Sequence, residues 1–141
     1  MLKLLVPVDG SENSLRLADY LVKWLGRLAE PVELHLLNVQ YPLHGEVGMF
    51  LSSEQMRDYH HDEGIKALQA VRDTLDGAGI VYTFHISVGD PPTVIVRFAH
   101  DQQCDQIVMG TRGLGQFASL LLGSVATKVI QLSDIPVMLI K

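Results

Sequence analysis

A glycine-rich stretch from Gly110 to Ser124 is the part of this sequence best suited to binding chemistry, because it holds four of the chain's twelve glycines. An apolar run, Gln106 to Met109, leads into it, and apolar residues with helical spacing follow it. The predicted order is strand, glycine-rich loop, helix. Glycine lets backbone N–H groups approach a ligand closely, and a helix N-terminus adds unpaired donors and about half a positive charge. This order predicts a cradle for an anion, most often a phosphate.

Two common phosphate-binding motifs do not account for the stretch. A Rossmann motif, Gly-x-Gly-x-x-Gly, follows the first strand, whereas Gly110, Gly113 and Gly115 come in another order after the fourth. A Walker loop needs Gly-Lys-Ser/Thr, which the chain lacks. The remaining alternative to a phosphate cradle is a flexible surface loop.

The spacing of the glycines, Gly-x2-Gly-x9-Gly-Ser, resembles the ATP-binding branch of the universal stress protein family. Gly110, Gly113 and Gly123 take the glycine positions, and Ser124 follows directly. The resemblance covers residues 1–141 as one domain. The other segments that carry it are 8–11, 89–91, 105–113, 122–126 and 135–140.

The resemblance implies how the phosphates of an adenine nucleotide are bound. Backbone N–H groups of Gly113, Gly123, Ser124 and Val125 hold them, and Ser124 adds its hydroxyl. Gly110 allows the backbone to approach the ribose.

The resemblance also implies the residues around the base and sugar. Pro7 and Val8 flank the adenine plane, and Val39 offers main-chain N–H and C=O to the adenine edge. Met109 either packs near the sugar or fills the core.

Three charged residues near this site have open roles. Asp9 accepts from a ribose hydroxyl, holds Mg²⁺ against the phosphates, or caps the first helix. Arg112 faces a phosphate or solvent. Lys128 lies one helical turn beyond Ser124 and is expected to be solvated.

The six histidines do not predict a metal site. His60 and His61 are adjacent, so on a helix they point about 100° apart. His35 lies in a predicted strand and His44 in a loop, without a partner at ligand spacing. We expect no metal site built from protein side chains alone.

Apolar periodicity predicts five strands alternating with four helices. Ser11 is expected to cap the first helix, and Ser52-x-x-Gln55 has the form of a capping box for the second. Leu15, Ala18 and Val22 should share the buried face of the first helix. The predicted strands are 2–8, 32–39, 81–88, 107–109 and 136–140. The first predicted helix is 12 to about 28, and the second begins after Ser52 and ends at Gly77 and Gly79. The third is opened by 89–92, the fourth begins near 123, and 41–51 is expected to be a loop.

This alternation predicts an α/β fold, an open parallel sheet with helices on both faces. The resemblance implies strand order 3-2-1-4-5, with the order reversing between strands one and four. Ligands in such sheets bind beyond the carboxyl ends of the strands at this reversal. Asp9 and Gly110 directly follow predicted strands one and four. The fold and the glycine motif therefore predict the ligand site at the same edge of the sheet.

The composition of the sequence limits the classes of binding partner that we expect. The chain has 141 residues and a net charge of −5, which argues against nucleic acid and an anionic membrane surface. The single Cys104 cannot form an internal disulfide and is expected to be packed. The sequence shows no signal peptide or membrane span, so we expect a cytoplasmic protein.

The prediction from the sequence is an ATP-binding universal stress protein that acts as a nucleotide-dependent interaction module in the stress response. ATP, or AMP or ADP, would bind with Mg²⁺, and hydrolysis would be slow at most. The resemblance implies a homodimer through the last strand, Pro136 to Lys141. Alternatives are a non-nucleotide-binding member of the family, and a slow ATPase or nucleotide-transfer enzyme.

Overall fold

Strands and helices alternate along the computed structural model, which describes residues 1–112 and 122–141, with only the backbone of residues 46 and 47. The strands are β1 (Leu2–Pro7), β2 (Val32–Gln40), β3 (Thr83–Val88), β4 (Gln106–Gly110) and β5 (Val137–Ile140). The helices are α1 (Glu12–Leu25), α2 (Glu46–Met49), α3 (Ser53–Gly77), α4 (Pro91–Asp101) and α5 (Ser124–Leu132).

The five strands form one parallel sheet in the order β3-β2-β1-β4-β5. Leu4 in the central strand pairs with Leu34 on one side and Gln106 on the other. The predicted fold class and strand order are therefore confirmed, and the order reverses between β1 and β4.

Helices cover both faces of the sheet, as a parallel sheet requires. On one face Leu4, Val6 and Leu36 pack with residues of α1 and α3 such as Leu21 and Leu68. On the other face Leu5, Leu37 and Ile107 pack with Ala99 of α4 and Val129 of α5. Successive residues of a central strand thus pack into the cores on opposite faces of the sheet. This explains why the sequences of these strands are apolar almost without interruption.

Helix α1 differs from its prediction in the face that it buries. Leu15 is 46% exposed, so its expected place in the core is wrong. The buried residues are Ser14, Leu17, Ala18 and Leu21. Leu17, Ala18 and Leu21 pack into the core, and Leu15 is turned about 100° around the helix from the buried Ser14.

The start of α3 confirms the predicted capping box. Ser52 Oγ accepts from the Gln55 N–H at 3.1 Å, and Gln55 Oε1 accepts from the Ser52 N–H at 2.9 Å. The preceding segment, expected to be a loop, contains the single helical turn α2. Within the part of the chain that the structure describes, no helix is long and apolar enough to cross a membrane.

Candidate functional site

The carboxyl end of β1 brings Pro7, Val8 and Asp9 to the edge where the strand order reverses. The Val8 N–H donates to the Leu37 carbonyl at 2.9 Å, and Asn38 Nδ2 donates to the Val8 carbonyl at 2.8 Å. Val8 is therefore buried and its main chain is engaged. Pro7 is half-buried, and Asp9 is exposed beyond it.

The Asp9 carboxylate organises the turn into α1. Its Oδ1 accepts from the Ser11 N–H at 3.0 Å and from Ser14 Oγ at 3.3 Å. Ser11 holds the N-cap position, but its side chain makes no capping hydrogen bond, so the expected Ser11 cap is wrong. Asp9 supplies the acceptor at the start of the helix, and a ligand role for the same carboxylate stays a prediction.

The main chain of Val39 faces the gap beyond the end of β1. In a parallel sheet alternate residues direct their N–H and C=O to the same neighbour. The Leu37 carbonyl faces β1, where it accepts from Val8, and the Gln40 carbonyl faces the β3 side, where it accepts from Gly89. Val39 lies two residues after Leu37, so its N–H and C=O also point to the β1 side. They lie beyond Pro7 and Leu37, the last paired residues of β1 and β2.

The carboxyl end of β4 contributes Met109 and Gly110. Met109 is 5% exposed and packs with Ala126 and Val129, so it fills the core. A methyl group at Gly110 would lie 3.4 Å from the Arg112 carbonyl oxygen and 3.8 Å from Asn13 Cβ. The packing around Gly110 therefore admits a methyl group at van der Waals contact with its neighbours, which also include the Ile140 carbonyl oxygen at 3.9 Å.

The start of α5 lies against the segment that follows β4. The Gly123 N–H donates to the Thr111 carbonyl at 2.6 Å, and Gly123 is the N-cap of α5. The next N–H groups, of Ser124 and Val125, lie in the first helical turn, where backbone donors have no partner within the helix. In this arrangement Ser124 and Val125, rather than Gly123, are the main-chain donors at this end.

Two further predicted residues follow β4 in the sequence. Arg112 is exposed, and its role stays a prediction. Gly113 lies outside the described residues.

A cavity of about 170 Å³ opens beside the start of α5. Ser124 and Val125 line it with Lys128, which is exposed as expected and nevertheless contributes to the wall. Three lining residues were not predicted, Tyr41, Asp90 and Pro92. Tyr41 and Asp90 closely follow β2 and β3, so their position after a strand at the carboxyl edge was the available signal.

A larger cavity of about 500 Å³ lies between α4 and the end of α5, with Arg97 and Leu132 in its wall. It includes none of the predicted site residues, and the smaller cavity is therefore the one related to the glycine motif.

Cysteine and histidine residues lie elsewhere in the fold. Cys104 is buried in the core, as predicted, and burial raises the pKa of its thiol. His35 has a partner that the sequence analysis missed, because His85 Nε2 lies 2.9 Å from His35 Nδ1. Among the described residues, no group of three or more His, Cys, Asp or Glu side chains is arranged to hold a metal ion.

The chain is similar to universal stress proteins over almost its whole length. Universal stress protein MJ0531 of Methanocaldococcus jannaschii is 32% identical, over 99% of this chain and 81% of its own length. Universal stress protein YxiE of Bacillus subtilis is 28% identical, over 99% and 98%. Among solved structures, MJ0577 superposes with a TM-score of 0.81 at 28% identity, over 99% of this chain and 94% of that one.

A universal stress protein solved in complex with cAMP superposes with a TM-score of 0.72 at 27% identity, over 99% of this chain and 97% of that one. The model of the universal stress protein family matches residues 1–141. The matches extend over the sheet, both helical layers and the carboxyl edge. This chain belongs to the universal stress protein family.

Proposed function

We propose that this protein binds an adenine nucleotide, ATP with Mg²⁺, at the carboxyl edge between β1 and β4, and acts as a nucleotide-dependent module of the stress response in the cytoplasm. AMP and ADP are the alternative ligands. The observation that carries the proposal is the contact between Gly123 and Thr111, which sets the N-terminus of α5 beside the end of β4 and Gly110. Backbone donors, a helix dipole and open space for a ligand are thereby combined.

The phosphates are proposed to bind at the first turn of α5. The N–H groups of Ser124 and Val125 and the Ser124 hydroxyl supply uncharged donors, to which Gly113 adds its own N–H. Lys128 lines the adjoining cavity and supplies a cation one turn further along the helix. Arg112 is the second cation proposed to face the phosphates.

The adenosine is proposed to lie across the ends of β1, β2 and β4. The main chain of Val39 faces the space beyond β1 and would hydrogen-bond the adenine edge, while Pro7 and Val8 flank the ring. Gly110, which has no side chain, is proposed to let the backbone approach the ribose. The related protein that was solved with cAMP, at 27% identity, supports an adenine nucleotide as the ligand class.

A divalent cation fits the charges of this proposal. ATP adds about four negative charges to a protein of net charge −5, and the exposed Asp9 lies at the same edge. Asp9 would provide a carboxylate oxygen, the kind of ligand that Mg²⁺ prefers. When bound, Mg²⁺ would reduce the repulsion between the phosphates and this carboxylate.

The proposal includes a homodimer through β5. This strand ends the sheet, and its four residues, Val137 to Ile140, are apolar and half-buried. An exposed apolar edge of this kind favours pairing with another strand. Pairing with the same strand of a second copy about a two-fold axis would cover both edges.

The test of nucleotide binding is direct. The purified protein is denatured in acid, and the released small molecules are separated by chromatography against AMP, ADP and ATP. Calorimetric titration with ATP and Mg²⁺ then compares the wild type with Gly113→Val and Gly123→Val, which should lose binding while circular dichroism stays unchanged. Wild-type affinity in both folded variants would refute the phosphate cradle.

A further inference from the structure

Three polar side chains form a hydrogen-bonded chain between β2 and the edge strand β3. His35 Nε2 lies 2.7 Å from Glu33 Oε1, and His35 Nδ1 lies 2.9 Å from His85 Nε2. His35 is 7% exposed, so its contacts replace contacts with water. Both nitrogens of this imidazole are therefore engaged.

The geometry of these hydrogen bonds restricts how many protons the three side chains can carry, and on which atoms. Because Glu33 accepts from His35 Nε2–H, a neutral His35 has an unprotonated Nδ1, which accepts from His85 Nε2–H. A first added proton can bind at His85 Nδ1 without disturbing either hydrogen bond. A second would have to occupy His35 Nδ1, and two N–H groups would then face each other across 2.9 Å. The contact between the rings has to open at that step.

The surroundings make added charge unfavourable at His85. Helix α4 contributes Phe98, whose ring centroid is 4.7 Å from that of His85 and 6.3 Å from that of His35. Burial is the main cause that lowers the pKa of His85, and the neighbouring His35 lowers it further.

The charged groups near the chain favour an ionised Glu33. The hydrogen bond from His35 is the main cause that lowers the pKa of Glu33. From β1, Lys3 Nζ lies 3.6 Å from Glu33 Oε1 and donates to the Gln102 carbonyl that follows α4. Ahead of β4, Asp105 accepts from the Lys3 N–H, and the buried Cys104 thiol lies beside it.

We propose that Glu33, His35 and His85 form a proton-sensitive tie that holds β3 and Phe98 of α4 on the sheet. The tie tolerates one added proton and opens when it takes up the second. It is a site for protons and not for a metal ion, because both nitrogens of His35 are engaged by Glu33 and His85, and among the described residues no group of three or more His, Cys, Asp or Glu side chains is arranged to hold a metal ion. The inference is independent of nucleotide binding, since none of the three residues lines the cavity beside α5.

Nitrogen-15 NMR of the wild-type histidine rings tests the tie without any mutation. At pH about 7.5, above the ordinary histidine pKa, we expect both rings as Nε2–H tautomers, with a scalar coupling between His85 Nε2 and His35 Nδ1 across the hydrogen bond. On acidification the coupling should survive the first protonation and vanish at the second, together with the His85–Phe98 proton contacts. Absence of the coupling at every pH, or its loss at the first protonation, would overturn the proposal.

A variant pair measures the effect on folding. Since the folded-state pKa of His85 lies below the ordinary value of 6.5, unfolding takes up a proton as the pH falls below about 6.5, so the wild-type unfolding constant rises there. Uptake of one proton raises the unfolding constant by up to about tenfold for each pH unit of acidification. His85→Gln lacks this proton site, so its unfolding constant should rise less steeply by up to that factor. His61→Gln, which removes an exposed histidine of α3, is the control and should leave the slope unchanged. Equal slopes for the wild type and His85→Gln would contradict the tie, and if this variant fails to fold, the NMR result decides.

Discussion

The Gly123 N–H donates to the carbonyl oxygen of Thr111 across 2.6 Å, which fixes the N-cap of α5 to the residue after β4. The two described ends of the glycine-rich stretch are therefore joined at the carboxyl edge of the sheet. The same bond occupies the Gly123 N–H, so the direct main-chain donors proposed for phosphate at α5 are those of Ser124 and Val125.

Gly110→Ala should separate ligand binding from folding. The added methyl group has ordinary contacts, 3.4 Å at the closest, so the variant should keep the circular dichroism and melting temperature of the wild type. The methyl would occupy the space proposed for the ribose, and ATP affinity should fall about tenfold or more, equivalent to about 1.4 kcal/mol. Calorimetric titration measures the change.

The matched control for Gly110→Ala is Gly77→Ala, because a methyl group at this last residue of α3 meets no atom within 4 Å. It should bind ATP like the wild type. Unchanged affinity in folded Gly110→Ala would show that the ribose does not approach this glycine.

Ser124→Ala should weaken ATP binding while α5 remains folded. The hydroxyl is exposed at the first residue of the helix and lines the cavity. Its loss deprives a charged phosphate of one hydrogen bond, worth about 1–3 kcal/mol, or roughly tenfold to a hundredfold in affinity.

Ser53→Ala makes the same change at the first residue of another helix, α3, and should leave ATP affinity unchanged. If Ser124→Ala and Ser53→Ala bind ATP equally well, the Ser124 hydroxyl does not contact the phosphates.

Chelation of Mg²⁺ should weaken ATP binding, and Asp9→Asn should make binding less dependent on Mg²⁺. Asparagine keeps the Oδ1 acceptor for Ser11 and Ser14 but loses the negative charge, so the start of α1 should be preserved. Titrations with and without EDTA measure the dependence. Asp90→Asn changes another carboxylate, one that lines the cavity, and serves as the comparison.

Asp9 does not hold the ion if Asp90→Asn, rather than Asp9→Asn, removes the dependence on Mg²⁺. If EDTA leaves wild-type affinity unchanged, a contact of Asp9 with the ribose replaces the metal role.

Leu139→Pro should convert the proposed dimer into a monomer. The carbonyl groups of Pro136 and Ile140 face β4, where they accept from the N–H groups of Ile107 and Thr111. Neighbouring residues of a strand point to opposite sides, so the Leu139 N–H faces the open edge of the sheet. Proline removes that donor and spares the ladder to β4. Sedimentation equilibrium at micromolar concentration measures the change.

Leu139→Ala is the control for Leu139→Pro, because it shortens the side chain but keeps the N–H, and it should remain a dimer. A monomeric wild type, or a folded proline variant that still dimerises, would disprove pairing through β5.

Local signals in the sequence predicted local structure well. The Ser52 and Gln55 capping box marks the start of α3, and the prolines after Asp90 lie in the first turn of α4. Leu15 was misplaced because apolar spacing alone leaves the rotation of a helix uncertain, and in the structure α1 packs Leu17, Ala18 and Leu21 into the core instead.

Contacts between distant residues were harder to predict. His35 and His85 meet because Leu37 pairs with His85 across β2 and β3, a register that neither strand contains by itself. Asp90 and Tyr41 reach the wall of one cavity only through the sheet order and the placement of α5. The strand order itself came from resemblance to a family, since periodicity gives the elements but not their neighbours.

The pairing of Leu4 with Gln106 sets the order in which the domain can be completed during synthesis. A ribosome releases the chain from its N-terminus, so β1, β2 and β3 are available while the other edge of β1 still lacks β4. Contacts that are far apart in sequence form slowly, and the apolar edge of β1 stays open until then. Because α5 emerges later still, a nucleotide bound as proposed, at both the end of β1 and the start of α5, would stabilise only the nearly finished domain.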